Sequence, residues 1–321
     1  MCFHWTTITH YVSTLISEKV SQIVIAGGYR DTSGIQGVRL GVIEILTGDK
    51  PTKLIPDLPE NIVDSTSLVL HNGNILLCGG YEEKKCFVLE HGTWKEHSTL
   101  NMKRTFHSIA TTQNATFIFG GLYSRWTYEY LPRGSKTWIM GKTEIPEGVC
   151  HVSAVTVKSE QEILLIGDNR TFDKRILTFN VNDHTFRVLP FKTKASRNDH
   201  RCAFIPNTNK VIITGGRNTD DISSSTEILD TETGEVTMGN PLNTKRAWHG
   251  IGILTINGED RVAVFGGWDG EIRDEKLDRL DSVELYNRKT GKWEVSNIKL
   301  KKPKSNFSFL TVRLSDIISK P

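Results

Sequence analysis

Half of the ten histidines in this chain fall at one recurring place, the start of an alternating apolar run: His10, His107, His151, His200 and His249. From His107 onward the spacing is 44, 49 and 49 residues. Three of them carry an arginine three positions earlier, in Arg104-Thr-Phe-His107, Arg197-Asn-Asp-His200 and Arg246-Ala-Trp-His249. Imidazoles can ligate metals or move protons, and a guanidinium fork takes a carboxylate through two parallel hydrogen bonds. A metal needs its donors within about 2 Å of one ion, which residues spread around a ring do not supply. The histidines are therefore expected to brace neighbouring backbone, with no metal and no cofactor. The arginines Arg104, Arg197 and Arg246 are expected to line a rim that receives a protein or peptide, acidic ligands included.

A second candidate set follows a recurring pair of glycines. These segments begin Tyr29-Arg30, Tyr81, Leu122-Tyr123-Ser124-Arg125-Trp126, Arg217 and Trp268. Aromatic and arginine side chains dominate binding hot spots, and loops on a rigid scaffold are where binding groups usually sit. Tyr29, Arg30, Tyr81, Tyr123, Arg125, Trp126, Arg217 and Trp268 are read as partner-binding on that basis. The stretch WDGEIRDEKLDRLD at 268–281 is the most charged of these insertions and reads as a solvated loop. Neither a G-x-S-x-G nucleophile elbow nor a phosphate-binding loop is present.

The elements that must position these residues come from a repeat. Apolar runs ending in glycine recur as IVIAGG (23–28), ILLCGG (75–80), FIFGG (117–121), ILLIGD (163–168), IITGG (212–216) and VAVFGG (262–267). The doublets are Gly27-Gly28, Gly79-Gly80, Gly120-Gly121, Gly215-Gly216 and Gly266-Gly267; in the fourth copy Gly167 is followed by Asp168. The first glycines stand 52, 41, 47, 48 and 51 residues apart. Around each lie four strand signals, with turns such as DTETGE and NRKTGK, and a fourth strand beginning at Trp94, Trp138, Phe186 or Trp293.

With its strand-three aromatics Tyr130, Phe179 and Tyr286, this pattern resembles the kelch repeat over nearly the whole chain. The resemblance implies an all-β fold: one six-bladed propeller spanning residues 1–321, with four-stranded blades. The glycines, Trp94, Trp138 and Trp293 would be structural. SNFSFLTVRL at 305–314 reads as a closing strand for the first blade, competing with Thr9–Ile16. Kelch-like propellers commonly capture substrates for cullin-based ubiquitin ligases through a preceding BTB and BACK region. The first glycine pair at residue 27 leaves no room for one, so the expectation is a protein–protein interaction module without that effector half. The alternative is a kelch-type enzyme or lectin acting on a carbohydrate or small molecule. Against an enzyme, E-x-x-x-D-x-x-x-H, found in iron-dependent kelch proteins, is missing, and EHGTW at 90–94 keeps only the tail of a sialidase-type loop.

Bulk properties set the remaining expectations. Forty basic against thirty-seven acidic residues give a net charge of +3, which implies no nucleic-acid partner. No stretch approaches the ~20 apolar residues of a membrane span, and Met1–Ser17 lacks a signal-peptide pattern. Cys2, Cys78, Cys86, Cys150 and Cys202 are odd in number and scattered, so reduced thiols and a cytoplasmic location are expected. Three N-x-[ST] sequons, at Asn114, Asn169 and Asn306, matter only for a secreted protein.

Overall fold

A computed structural model describes residues 21–30, 38–39, 43–46, 56–81, 83–157, 159–167, 174–218, 221–273 and 276–313. The strand runs are alternating or, in the second strand of each blade, continuously apolar, and they pair antiparallel into sheets set around one axis. Blade 2 comprises Thr66–Val69, Ile75–Gly80, Glu83–Glu90 and Thr93–His97. Blade 3 comprises Ser108–Thr111, Ala115–Phe119, Tyr128–Pro132 and Ile139–Met140, and blade 4 Ser153–Thr156, Glu162–Ile166, Arg175–Asn180 and Phe186–Lys192. Blade 5 is Arg201–Phe204, Lys210–Thr214, Thr226–Asp230 and Val236–Met238; blade 6 is Gly250–Ile256, Glu259–Phe265, Ser282–Asn287 and Lys292–Lys299. Blade 1 joins the chain ends: Ser308–Arg313 pairs with Ser21–Ala26, which pairs with Ile43–Leu46. The C-terminal strand therefore closes the ring, as expected, and removes two free sheet edges. Thr9–Ile16 and His10 lie outside the described residues.

Six apolar clusters hold the ring, each between two neighbouring blades. Trp138, Trp293 and Phe179 are buried in these seams, and Trp94 packs against the seam of blades 1 and 2. The glycine doublets fit where blades touch. A Cβ on Gly79 (φ +67°) would fall 2.7 Å from His107 Cε1, and one on Gly267 (φ +98°) 2.7 Å from the Ala247 carbonyl oxygen. His107, His200 and His249 thus sit over the first glycine of the preceding blade, as the bracing role requires. His107 also shares a hydrogen bond with Thr66 Oγ1, and His249 with Thr214 Oγ1.

The arginine expectation is corrected here. Arg104, Arg197 and Arg246 are 0%, 2% and 0% exposed, so they cannot touch a partner. Each pairs inside its own blade with a glutamate at strand three: Arg104 with Glu129 at 2.9 Å, Arg197 with Glu227 and Arg246 with Glu284, both at 2.7 Å. The carboxylates also accept main-chain N–H groups from the incoming loop, for example Asn243 and Thr244 on Glu284. Blade 1 repeats the device with Lys304 and Glu44, 2.9 Å apart. In blades 2 and 4 the same two positions are held by Ile62 with Phe87 and by Val149 with Leu177, all apolar and buried. The chain thus contains its own exchange of buried ion pairs for apolar pairs, which similar net energies permit.

Two further expectations change. Cys78 and Cys86 lie directly opposite on adjacent strands of blade 2 and form a disulfide, rather than remaining reduced. A cross-strand pair brings the two β-carbons together without any backbone rearrangement. The charged stretch after Gly267 is not a plain loop but a hairpin, Trp268–Arg273 with Lys276–Arg279.

Burial depresses the buried histidines. Desolvation, with the neighbouring Arg104 charge, lowers His107 to about 3; desolvation and Arg197 lower His200 to about 3, and His249 shifts the same way. Because the unfolded chain binds these protons near pH 6.5, stability falls as pH drops from about 6.5 toward 3. Three such histidines give a limiting slope of about 4 kcal/mol per pH unit. Denaturant titrations at stepped pH should show this, with His107→Gln making the slope shallower by about 1.4 kcal/mol per unit. In a second test, Arg246→Leu should cost about 3–5 kcal/mol by leaving Glu284 unpaired. The Arg246→Leu/Glu284→Leu double variant should cost clearly less than the summed single losses, measured by the same titrations.

Candidate functional site

One position in each blade, just before the innermost strand, adopts a left-handed backbone without being glycine: Asp64, Phe106, His151, Asp199, Trp248 and Asn306, with φ between 51° and 59°. Their main chains link around the axis. The N–H groups of Asp64, His151, Asp199, Trp248 and Asn306 donate to the carbonyls of Asn306, Phe106, His151, Asp199 and Trp248, at 3.0–3.4 Å. Five of the six links of a circle are therefore made by backbone alone. The space enclosed at this level is about 30 Å³, lined also by Thr66, His107 and Arg201. That volume is about one water molecule's share of liquid, so a larger ligand must meet the ring from outside.

The side chains of the ring connect as well. Asp199 Oδ1 hydrogen-bonds His151 Nδ1, and Asp199 Oδ2 accepts from Arg217 Nε at 2.8 Å. Phe106 stacks on His151, ring centroids 4.2 Å apart, and Asn306 Nδ2 donates to Asp64 Oδ1 at 2.7 Å. Arg217 lies over Trp248 at 4.8 Å, and Trp248 stacks on Trp268 at 5.5 Å. Burial raises the Asp199 carboxyl, but the His151 and Arg217 charges outweigh it and hold the group below its ordinary value. Burial lowers the Arg201 guanidinium, while Asp199 and Asp64 favour its charge. A carboxylate that orients an imidazole beside an arginine and an aromatic face can bind polar groups and can move protons.

The first residue after the glycine doublet forms an outer circle on this same face. Tyr29, Tyr81, Leu122, Arg217 and Trp268 each donate their main-chain N–H to the residue preceding a ring member. Of the sequence candidates, Tyr29, Arg217 and Trp268 therefore belong to the mouth, and Tyr81 stands exposed beside it. Tyr123 and Trp126 are half-exposed on the loop of blade 3, Arg125 is partly buried there, and the side chain of Arg30 is outside the described residues. Asp168, the residue replacing a glycine, also lies outside them.

Sequence reasoning missed the ring itself. It placed His151 with His107, His200 and His249, yet Val152 holds that register position and His151 is the ring member. The signal was the 44-residue interval, short against two intervals of 49. Phe106, Asp199 and Trp248 stood inside the Arg-x-x-His motifs directly before the histidine, at one of two positions that change in every copy.

Among comparisons, the Kelch motif family model matches residues 260–297. No curated protein matches the chain in sequence. A solved structure, described as that of YjhT, aligns with a TM-score of 0.68 at 12% identity, over 80% of this chain and 90% of that one. Such identity speaks for the fold. The sealed arginines remove the rim on which the expected protein-binding module rested, and the reading passes to the alternative drawn from the sequence. Among the described residues no group of histidine, cysteine or carboxylate side chains is placed to hold a metal ion, and no helix is long and apolar enough to cross a membrane.

The lowered Asp199 group contributes stability above its unfolded value near 3.9, and that contribution is lost as pH falls through the folded value. Asp199→Asn should therefore lose about 1–3 kcal/mol at pH 7, with the difference from wild type closing below about pH 4. Urea denaturation at pH 7 and pH 3 measures it.

Proposed function

We propose that this chain, a kelch-repeat β-propeller, recognises a carbohydrate or similar polar small molecule at the ring mouth. One observation carries the reading: six blades keep a left-handed, non-glycine residue at the ring, and all but the two aspartates differ in type. A left-handed side-chain-bearing residue costs about 1–2 kcal/mol that glycine would avoid. The scaffold positions repeat the glycine doublet in five blades and the cation–glutamate pair in four, whereas this register repeats only aspartate. Strain retained with side-chain diversity is what a binding site needs and a brace does not.

The donor and acceptor groups suit hydroxyl-rich ligands. Asp64, Asn306, His151 and Arg217 offer hydrogen bonds around the ring, and the Trp248–Trp268 pair offers an apolar face for a sugar ring. A second reading, turnover of that ligand by proton transfer, is favoured specifically by Asp199 holding His151 Nδ1. The Cys78–Cys86 bond points to an oxidising compartment rather than the cytoplasm as the setting.

A panel of immobilised glycans should retain the protein on one saccharide class, and Trp248→Gly should weaken that retention at least tenfold. The variant should keep a melting temperature near wild type, because relief of the left-handed strain offsets lost ring packing. Absence of any saccharide binding, or undiminished binding by Trp248→Gly, contradicts the proposal. NMR of the retained sugar over hours separates turnover from capture.

A further inference from the structure

The turn joining Ser108–Thr111 to Ala115–Phe119 in blade 3 lies on the face away from the ring, because that innermost strand runs away from the ring member Phe106. It carries Asn114-Ala115-Thr116, one of the three N-x-[ST] sequons. The backbone of the turn is fastened on both sides. Thr112 N–H donates to the Ala115 carbonyl at 2.9 Å, Arg133 N–H to the Asn114 carbonyl at 2.7 Å, and Gln113 N–H to Glu160 of blade 4 at 2.7 Å. The Asn114 side chain is exposed and has no hydrogen-bond partner among the described residues. A fixed turn therefore holds an uncommitted amide out to solvent.

Asn306-Phe307-Ser308 is the opposite case. Asn306 is the half-buried ring member whose Nδ2 donates to Asp64 Oδ1, and Phe307 and Ser308 are buried behind it. A sugar on that nitrogen has no room in a space of about 30 Å³ and would displace the Asp64 bond. Asn169 lies outside the described residues. Sequons act in the secretory pathway, and the Cys78–Cys86 bond points to an oxidising compartment. We propose that Asn114 carries an N-linked glycan while Asn306 stays bare, an inference that rests on that compartment reading. In the transfer, Asn114 Nδ2 bonds to the anomeric carbon of an oligosaccharide donated from a lipid diphosphate. The anomeric C–O bond breaks, the diphosphate leaves with the electron pair, and the proton lost from Nδ2 passes to water. Thr116 supplies the sequon hydroxyl but is 1% exposed in the folded blade, so transfer precedes the packing of blade 3. The folded chain then bears its glycan on the far face, and the ring mouth stays open to a ligand.

The test uses the full chain behind a secretory leader in cultured insect cells. Secreted protein is alkylated to mark free thiols, then treated with an amidase that releases N-glycans and turns each glycan-bearing asparagine into aspartate. Peptide mass spectrometry locates both marks. Occupancy at Asn114 should exceed that at Asn306 about tenfold. Asn114→Gln should remove one glycan's worth of mobility shift. After deglycosylation its melting temperature should equal that of wild type, because the Asn114 side chain holds nothing in place. Secreted, disulfide-bonded chain with a bare Asn114, or with Asn306 occupied as fully as Asn114, overturns the inference alone. Free thiols at both Cys78 and Cys86 in the secreted chain overturn the compartment reading, and the inference with it.

Discussion

The circle of main-chain hydrogen bonds at the axis is the constraint to which the rest of this propeller answers. Each link asks one residue per blade to leave the strand in the left-handed region, so that its N–H points to the blade before and its carbonyl to the blade after. That geometry fixes where the innermost strand begins and therefore where the next histidine or phenylalanine must pack. The glycine doublets answer the same demand from the other side. Gly79 leaves space for His107 of the next blade, while Gly121 lies against the start of its own innermost strand. A buried cation–glutamate pair then ties the incoming loop to strand three in four blades.

Function follows from the same constraint. Because backbone supplies five of the six links, the ring side chains carry less of the closure and can differ in type. His151, Asp199 and Arg217 form a linked polar chain on one side, and Trp248 with Trp268 an aromatic face beside it. The space between the ring residues is about one water's volume, so a larger ligand meets their side chains at the mouth.

Much of the fold was legible because the repeat is written in glycines, and glycine is demanded by sterics that no other residue meets. The closing strand was visible as a surplus copy of strand one at 305–314, and Ser308–Arg313 takes that place. The site was harder to read. Arginine in a repeated motif looks the same in sequence whether it faces solvent or a buried glutamate, and the glutamate lies 25 to 38 residues away on another strand. The Cys78–Cys86 bond was obscured by an odd cysteine count, although a separation of eight residues across a hairpin permits it. His151 was misplaced by one residue because a histidine in nearly the right register is indistinguishable from one in the right register until the backbone is seen.

Amide hydrogen exchange at the ring tests this account most directly. If the circle of bonds governs the architecture, the N–H groups of Asp64, His151, Asp199, Trp248 and Asn306 exchange as slowly as those of the innermost strands, and all five open together as denaturant is added. Fast exchange at these five amides, at the rate of the exposed turns and independent of one another, would contradict it.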